Sequence, residues 1–289
     1  MHAEIDVLTG RFGPEYEFIE RHLKQVTQEW NPIPTPALSR LWESVDYSLF
    51  SSGKRFRPLL AVLTAKALRA PAEKVLPLAS AVELIHTYSL IHDDLPVMDN
   101  GDLRRGRPTN HKVFGDALAL LAGDGLLTHA FYVLARGLQS SPQAAAAIEK
   151  VASAAGLGGM VGGQVLDISM TDLDENLMND IHRLKTGALI QVSVEAAAIL
   201  CGASDSDQKS LTAYGRALGL AFQLADDLQD AGEKIEKVNF VHVLGPERTV
   251  QLLKQATDDG VAALAGFGDD ASGLRFLLTM NQERISFGG

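Results

Sequence analysis

The sequence predicts an all-α protein, on three observations. Alanine and leucine fill long segments in which apolar residues recur three and four apart, the spacing that builds one face of a helix. The β-branched alternation of half-buried strands is scarce. The turn-forming residues fall between these segments, at Asn31–Pro36, Gly101–Pro108, Ser140–Pro142, Gly202–Asp205 and Gly266–Gly273, so each break reads as a helix connection. Ser141, and Ser204 or Asp205 ahead of the segment leading to Gln223, are the expected N-caps, because a short side-chain oxygen accepts a bond from an amide that the first turn leaves unpaired. No break is long or polar enough for a linker and no solenoid repeat is present, so residues 1–289 are expected to form a single domain.

Lys and Arg number 26 against 36 Asp and Glu, a formal balance of −10. That excludes a general nucleic-acid binder, and any anionic ligand must be met by a local basic cluster or by metal. The single cysteine, Cys201, excludes an internal disulfide framework and fits a reducing compartment. The longest charge-free stretch, Val151–Leu166, is sixteen residues with five glycines, short of the roughly 18 apolar residues of a spanning helix. Glu4, Asp6 and Arg11 interrupt any leader-like pattern. A cytoplasmic protein without a stable membrane anchor is therefore expected.

Two acidic clusters stand out. In Gln223–Asp230, QLADDLQD, Asp226 and Asp230 are four apart and point from one helix face. In His92–Pro108, HDDLPVMDNGDLRRGRP, Asp93 and Asp99 are six apart, which no straight helix aligns. Pro96 removes an amide donor and pushes Leu95 out of helical dihedrals, so the chain must bend there, which can return Asp99 beside Asp93. Clustered carboxylates repel unless hard cations sit among them. Mg²⁺ suits them, since it takes one or two carboxylates and completes its shell with water and phosphate oxygens. Two solvated acidic helix ends remain the plainer alternative for either cluster alone.

Upstream, Ser51–Pro58 reads SSGKRFRP, a glycine loop that carries three cations into a helix and can hold a diphosphate. His86 lies two helical turns before Asp93 on the same face, a position that a structural histidine would also fill.

With these pieces in line, the chain resembles the trans-isoprenyl diphosphate synthases, in particular their bacterial farnesyl diphosphate synthase branch. The motifs that carry the resemblance are SGKRFRP, DDLPVMD with two inserted residues, LRRGRPT, GGQVLDI at Gly162–Ile168, HRLKTGALI at His182–Ile190 and FQLADDLQD at Phe222–Asp230. It spans about Ser51 to Gly245. The resemblance implies a helical bundle around a deep central cavity, with the aspartate motifs facing each other across its mouth and three Mg²⁺ ions bridging them through an allylic diphosphate. It implies Asp93, Asp99 and Asp226 as principal metal ligands, with Asp94, Asp227 and Asp230 as weaker or outer candidates. Arg104 is implied at the allylic diphosphate, and Lys54, Arg57, His86 and Arg105 at the isopentenyl diphosphate. Lys185, Thr186 and Gln223 are implied beside the developing cation. The product's tail would run beside the helix of Asp93, with Tyr88 and Ser89 as its floor, although Tyr88 as ordinary core fits the periodicity equally well. A homodimer is the family's usual assembly.

Ionising an allylic diphosphate leaves a carbocation and an anion, so metals and arginines that stabilise the anion explain the opposed charges. The departing diphosphate can take the final proton. His92, His111, His129 and His182 are accordingly expected to be structural, and removing Asp93 or Asp226 is expected to spare the fold. Competing readings are a geranyl or geranylgeranyl diphosphate synthase, a weakly active or regulatory subunit, and a class I terpene cyclase. The terpene cyclase would not need a second diphosphate site at Lys54, Arg57 and Arg105. After Asp230 the chain departs from the family's pattern. Only Ala231–Glu236 lie between Asp230 and Lys237, which is implied at the allylic diphosphate; Lys234 either substitutes for a missing lysine there or is a solvated charge beside Glu233 and Glu236.

Overall fold

In a computed structural model of the chain, the structure describes residues 2–28, 35–170, 174–230 and 239–286. The chain divides into two compact units, Met1–Leu59 with Leu76–Ser140, and Leu60–Val75 with Ser141–Gly289.

The first unit holds α1 (His2–Arg11), α2 (Gly13–Gln28), α3 (Pro36–Leu49) and the first turn of α4 (Phe56–Ala67). It continues with α5 (Leu76–Asp93), a small hairpin of β1 (Leu103–Arg104) and β2 (Arg107–Pro108), α6 (Asn110–Phe114) and α7 (Asp116–Gly137). Thr35 caps α3, its hydroxyl accepting from Leu38 N, with Pro36 in the first turn, where a missing amide costs nothing. Helix α5 is largely apolar and buried from Leu76 to Ile85, with Glu83 the one charge in that stretch, as suits a helix at the centre of a bundle. Helix α7 covers it with Ala119, Ala122, Leu126, Ala130, Val133 and Leu134. Each fully buried leucine there contributes roughly 1.5–3 kcal/mol.

The second unit holds the remainder of α4 and then α8 (Ala144–Ala155), α9 (Met160–Ser169), α10 (Glu175–His182), a π-helical turn at Arg183–Gly187 and α11 (Ala188–Cys201). After these come α12 (Asp205–Asp230), α13 (Phe240–Leu244), α14 (Pro246–Ala263) and α15 (Ser272–Ser286). Helix α12 is its axis and packs on α11, α14 and α15, and Tyr214 at its centre donates to Leu274 O at 2.8 Å. Ser204 caps α12, as expected, accepting from Asp207 N at 3.1 Å. Ser141 is displaced from that role, because α8 starts at Ala144 with Gln143 in the cap position and Ser141 Oγ accepts only from Gln143 N.

Helix dominates as expected, and the hairpin is the exception. Arg105 and Gly106 both carry positive φ, 56° and 75°, the type I′ geometry whose twist matches a two-residue hairpin. A second expectation is corrected. By length and composition, Asp116–Gly137, Ala144–Ser169 and Glu175–Cys201 are long and apolar enough to cross a membrane. Isolated charges such as Asp124 break a charge-free run without removing the apolar character of the segment.

Candidate active site

In the first unit α5 ends at Asp93, three residues before Pro96. The chain then doubles back, with Leu95 N bonding His92 O, Met98 N bonding Leu95 O, and Asp99 N bonding Asp93 O at 2.9 Å. The bend predicted from Pro96 thus returns Asp99 to Asp93. Asp94 points elsewhere. It is 4% exposed and takes a two-pronged contact from Arg104, whose Nη2 donates to Oδ1 at 2.7 Å and whose Nε donates to Oδ2 at 2.8 Å and Oδ1 at 3.0 Å. Burial alone would lower the Arg104 pKa, but its bond to Asp94 and the charges of Asp94, Asp93 and Asp99 hold it above its ordinary value.

The hairpin aims the basic side chains. Arg105 lies against Gly53, where a Cβ would come within 2.6 Å of its Nη1, so the glycine of the basic loop is what admits the guanidinium. Its Nη1 donates to Ser51 Oγ at 3.2 Å, and Arg107 stacks on Tyr47 at 4.1 Å. Arg104, Arg105, Arg107, Ser51, Tyr47 and Thr87 line a cleft. His86 is held well below its ordinary pKa by burial and then by the charges of Arg57, Arg105, Arg104 and Arg55, so it is neutral at pH 7. Like charges gathered at partly buried positions repel one another, and an incoming polyanion relieves that repulsion.

The third cation of the loop has a different task. Arg55, 5% exposed, donates to Glu20 at 2.6 Å and Glu83 at 2.7 Å, pinning the loop to α2 and α5. Lys54 pairs with Glu4 of α1 at 2.8 Å, and Tyr16 donates to its carbonyl. The sequence reading missed Glu4, because nothing in a lone acidic residue near a terminus signals a partner fifty positions away.

Tyr88 is buried, with its ring edge-on to His92 at 5.6 Å. Burial and then Asp93 push its phenol up to about 12. Ser89 donates to His86 O. His92 occupies a notch over Gly123, where a Cβ would lie 2.0 Å from its Nε2, and that nitrogen meets Leu120 O at 3.0 Å. His129 meets Val26 O and His111 meets the Thr109 hydroxyl.

In the second unit Gln223, Asp226, Asp227 and Asp230 lie in the last two turns of α12. Asp226 pairs with Arg284 of α15, which also donates to Gln229 at 2.7 Å and Asn281 at 3.2 Å. Arg284 too was invisible to sequence reasoning, being 58 residues from its partner. Asp227, 4% exposed, accepts from Gln223 Nε2 at 2.7 Å and from Phe240 N at 2.8 Å. Burial raises its pKa, and those two bonds oppose the rise. His182 stacks on Phe240 at 4.8 Å, and burial lowers its pKa to about 4.

Lys185 and Thr186 sit in the π-helical turn, a geometry recurrent at functional sites. Lys185 pairs with Asp167 of the GGQVLDI motif at 2.7 Å. A Cβ at Gly163 would come within 2.2 Å of Lys185 N, so the second glycine lets the two backbones touch. Asp167 therefore joins the site's residues; the motif was recognised without a role for it. Lys234 and Lys237 lie outside the described residues.

Among the described residues no three His, Cys, Asp or Glu side chains converge tightly enough to hold an ion between them. The donor set fits Mg²⁺ nonetheless, since that ion needs only one or two carboxylates, and the Asp99 to Asp93 backbone bond joins the two ends of the loop that bears both.

The chain matches the polyprenyl synthetase family over residues 39–239. It is 46% identical over 236 residues to a farnesyl diphosphate synthase of Geobacillus stearothermophilus, covering 79% of this chain and 77% of that one. It is 38% identical over 260 residues to the chloroplastic geranylgeranyl pyrophosphate synthase 7 of Arabidopsis thaliana, covering 83% and 74%. Among solved structures, a geranyltransferase of Legionella pneumophila superposes with a TM-score of 0.88 at 33% identity, covering 99% of both chains. The chain belongs to the polyprenyl synthetase family. It is a prenyltransferase of the trans-prenyl diphosphate synthase type.

Proposed function

We propose that the protein is a Mg²⁺-dependent farnesyl diphosphate synthase, condensing isopentenyl diphosphate first with dimethylallyl diphosphate and then with the ten-carbon geranyl product. The observation that carries this reading is the basic cleft of the first unit, where Arg105 lies against Gly53 and Ser51 of the SSGKRFRP loop, in the same unit as the turn that returns Asp99 to Asp93. Asp93, Asp99 and Asp226, with Asp230 as a further candidate, would hold Mg²⁺, which supplies Lewis-acid stabilisation of the leaving diphosphate. Arg104 binds the allylic diphosphate. Lys54, Arg57, His86 and Arg105 bind the isopentenyl diphosphate, whose double bond attacks the cation. Thr186 and Gln223 present oxygens beside that cation, Lys185 offers its ammonium to the allylic diphosphate, and the leaving diphosphate accepts the final proton. Residues 1–289 act as one polyprenyl synthetase domain, a reading supported by a family match that runs unbroken through both units.

Product length rests on Tyr88, whose buried ring, fixed by His92, lies one turn and a half before Asp93 on α5. A geranylgeranyl synthase is the second reading, favoured by the 38% identity to the Arabidopsis enzyme. The test is incubation with isopentenyl diphosphate and each allylic diphosphate, with and without Mg²⁺, followed by product sizing. A fifteen-carbon product that requires Mg²⁺ is expected, and Tyr88→Ala should lengthen it. A twenty-carbon wild-type product would favour the second reading, and absence of turnover would favour a regulatory subunit. A homodimer is proposed with α7 at its interface, since Leu120, Leu121 and Tyr132 expose an apolar face there. A cytoplasmic location is proposed from the single cysteine, Cys201, which fits a reducing compartment.

A further inference from the structure

Two arginines of the hairpin are fixed from different sides. Arg104 is met by Asp94, just past the end of α5. Arg105 occupies the turn itself with a φ of 56°, a conformation that a side chain with a Cβ adopts at a cost, so contacts outside the turn must hold it. They come from one face of α3 and its continuation, at Ser44, Tyr47, Ser48 and Ser51, the spacing of a single helix face.

Two chains of bonds run from that face to the turn. In the first, Ser51 Oγ donates to Ser48 O at 2.7 Å and accepts from Arg105 Nη1 at 3.2 Å. The second ties down the strand that follows Arg105. Tyr47 OH donates to Pro108 O at 2.8 Å, its ring carries the Arg107 guanidinium at 4.1 Å, and Phe114 stands edge-on to that ring at 5.5 Å. Asn110, buried just beyond the strand, donates from Nδ2 to Ser44 O and to Ser48 Oγ, each at 2.8 Å. Its Oδ1 accepts from Ser44 Oγ at 2.8 Å, so both amide hydrogens and the oxygen are spent on α3.

Arg105 is the hairpin residue that the proposed reaction sets against isopentenyl diphosphate. A guanidinium grips a phosphate through a fork of fixed direction, and an arginine on a loose turn loses affinity to the cost of ordering it. We propose that Tyr47 and Asn110 are positioning residues, which fasten the hairpin to α3 and so set Arg105 in advance for isopentenyl diphosphate, while Arg104 keeps its direction from Asp94. The inference rests on the farnesyl synthase reading only in placing isopentenyl diphosphate at Arg105.

The probe is isopentenyl diphosphate without an allylic partner, titrated by calorimetry, beside steady-state kinetics with geranyl diphosphate. Tyr47→Phe loses the bond to Pro108 and keeps the ring, whereas Tyr47→Leu loses both. The first should weaken isopentenyl diphosphate about threefold and the second about tenfold, with the KM for geranyl diphosphate within about twofold of wild type. A general loss of structure would act on both ligands and would not depend on Arg105. In an Arg105→Gln background, Tyr47→Leu should therefore cost no more than about a further twofold. Asn110→Ala removes three bonds and should match Tyr47→Leu. If it fails to fold, Ser48→Ala, which keeps the carbonyl that serves Ser51 and loses one acceptor for Asn110, should weaken isopentenyl diphosphate about threefold. Wild-type affinity in Tyr47→Leu, equal weakening of both ligands, or the same tenfold loss with and without Arg105 overturns the positioning role in a protein that still turns over. A wild-type protein that neither binds isopentenyl diphosphate nor turns over overturns the farnesyl synthase reading and this inference with it.

Discussion

Asp93 and Asp226 look equivalent in the sequence, and the structure separates them. Asp93 lies half-buried at the end of α5, whereas Asp226 answers the charge of Arg284, a side chain 5% exposed. Asp93→Ala should lower turnover by about 10²- to 10³-fold, the scale of losing one group that stabilises a developing anion, with little change in thermal midpoint. Asp226→Ala should lose turnover similarly and also melt earlier, because it strands a buried guanidinium. For Asp226 this outcome departs from the expectation, drawn from the sequence, that both variants spare the fold. Matched midpoints for the two variants would show that Arg284 finds other support. His86 carries a pH signature. Its pKa lies well below the 6.5 of an unfolded chain, through burial and then the four arginines. The stability tied to its neutral form is therefore complete above about pH 6.5 and is lost as pH falls toward the folded value. Urea midpoints between pH 7.5 and 5 should fall less in His86→Gln than in wild type; parallel curves would assign the acid sensitivity elsewhere. What the sequence makes legible at this scale is local, such as the four-residue spacing of Asp226 and Asp230 or the bend at Pro96. What it hides are pairings across long separations, Lys54 with Glu4 and Asp226 with Arg284.

Among the elements, helices follow from periodicity, but the hairpin and the π-helical turn do not. The Arg105–Gly106 turn asks an arginine to adopt positive φ, which no propensity favours. It is held there by Arg104 on Asp94 and Arg105 on Ser51, contacts made only after folding. The π-helical turn likewise forms where Gly163 lets α9 approach the backbone at Lys185. Helix α1 has a consequence for the proposed isopentenyl diphosphate site, since its Glu4 pairs with Lys54 at 2.8 Å and both side chains are less than a fifth exposed. An incoming diphosphate must compete with that carboxylate for the ammonium. Glu4→Gln removes the competing charge and keeps the shape, so the KM for isopentenyl diphosphate should fall about threefold while that for geranyl diphosphate stays constant. A rise in the isopentenyl diphosphate KM would mean that Glu4 positions Lys54 for the ligand.

For the molecule as a whole, the −10 balance directs attention to local basic clusters, but composition gives no sign of the division into two compact units. Helix α7 bears on the assembly through its two faces. Its inner face holds α5 through Leu126, Ala130 and Leu134, and Gly123 seats His92, the residue before Asp93. Its outer face leaves Leu120, Leu121 and Tyr132 about half exposed, with Gly125, Thr128 and the exposed carboxylate of Asp124 between them, an apolar stripe with one charge in it that suits a self-complementary contact. Leu121→Glu would place a charge on that stripe and, in a two-fold contact, oppose it to the negative field of a second copy. Light scattering should show a dimer for the wild type and a monomer for the variant. Because the same helix sets His92 and thereby the edge of the Tyr88 ring, the monomer should also turn over more slowly and release a broader range of product lengths. A variant that stays dimeric would remove α7 from the interface, a monomeric wild type would remove the homodimer, and wild-type protein that sediments with lipid vesicles only while Leu121 is intact would assign the outer face of α7 to a membrane instead.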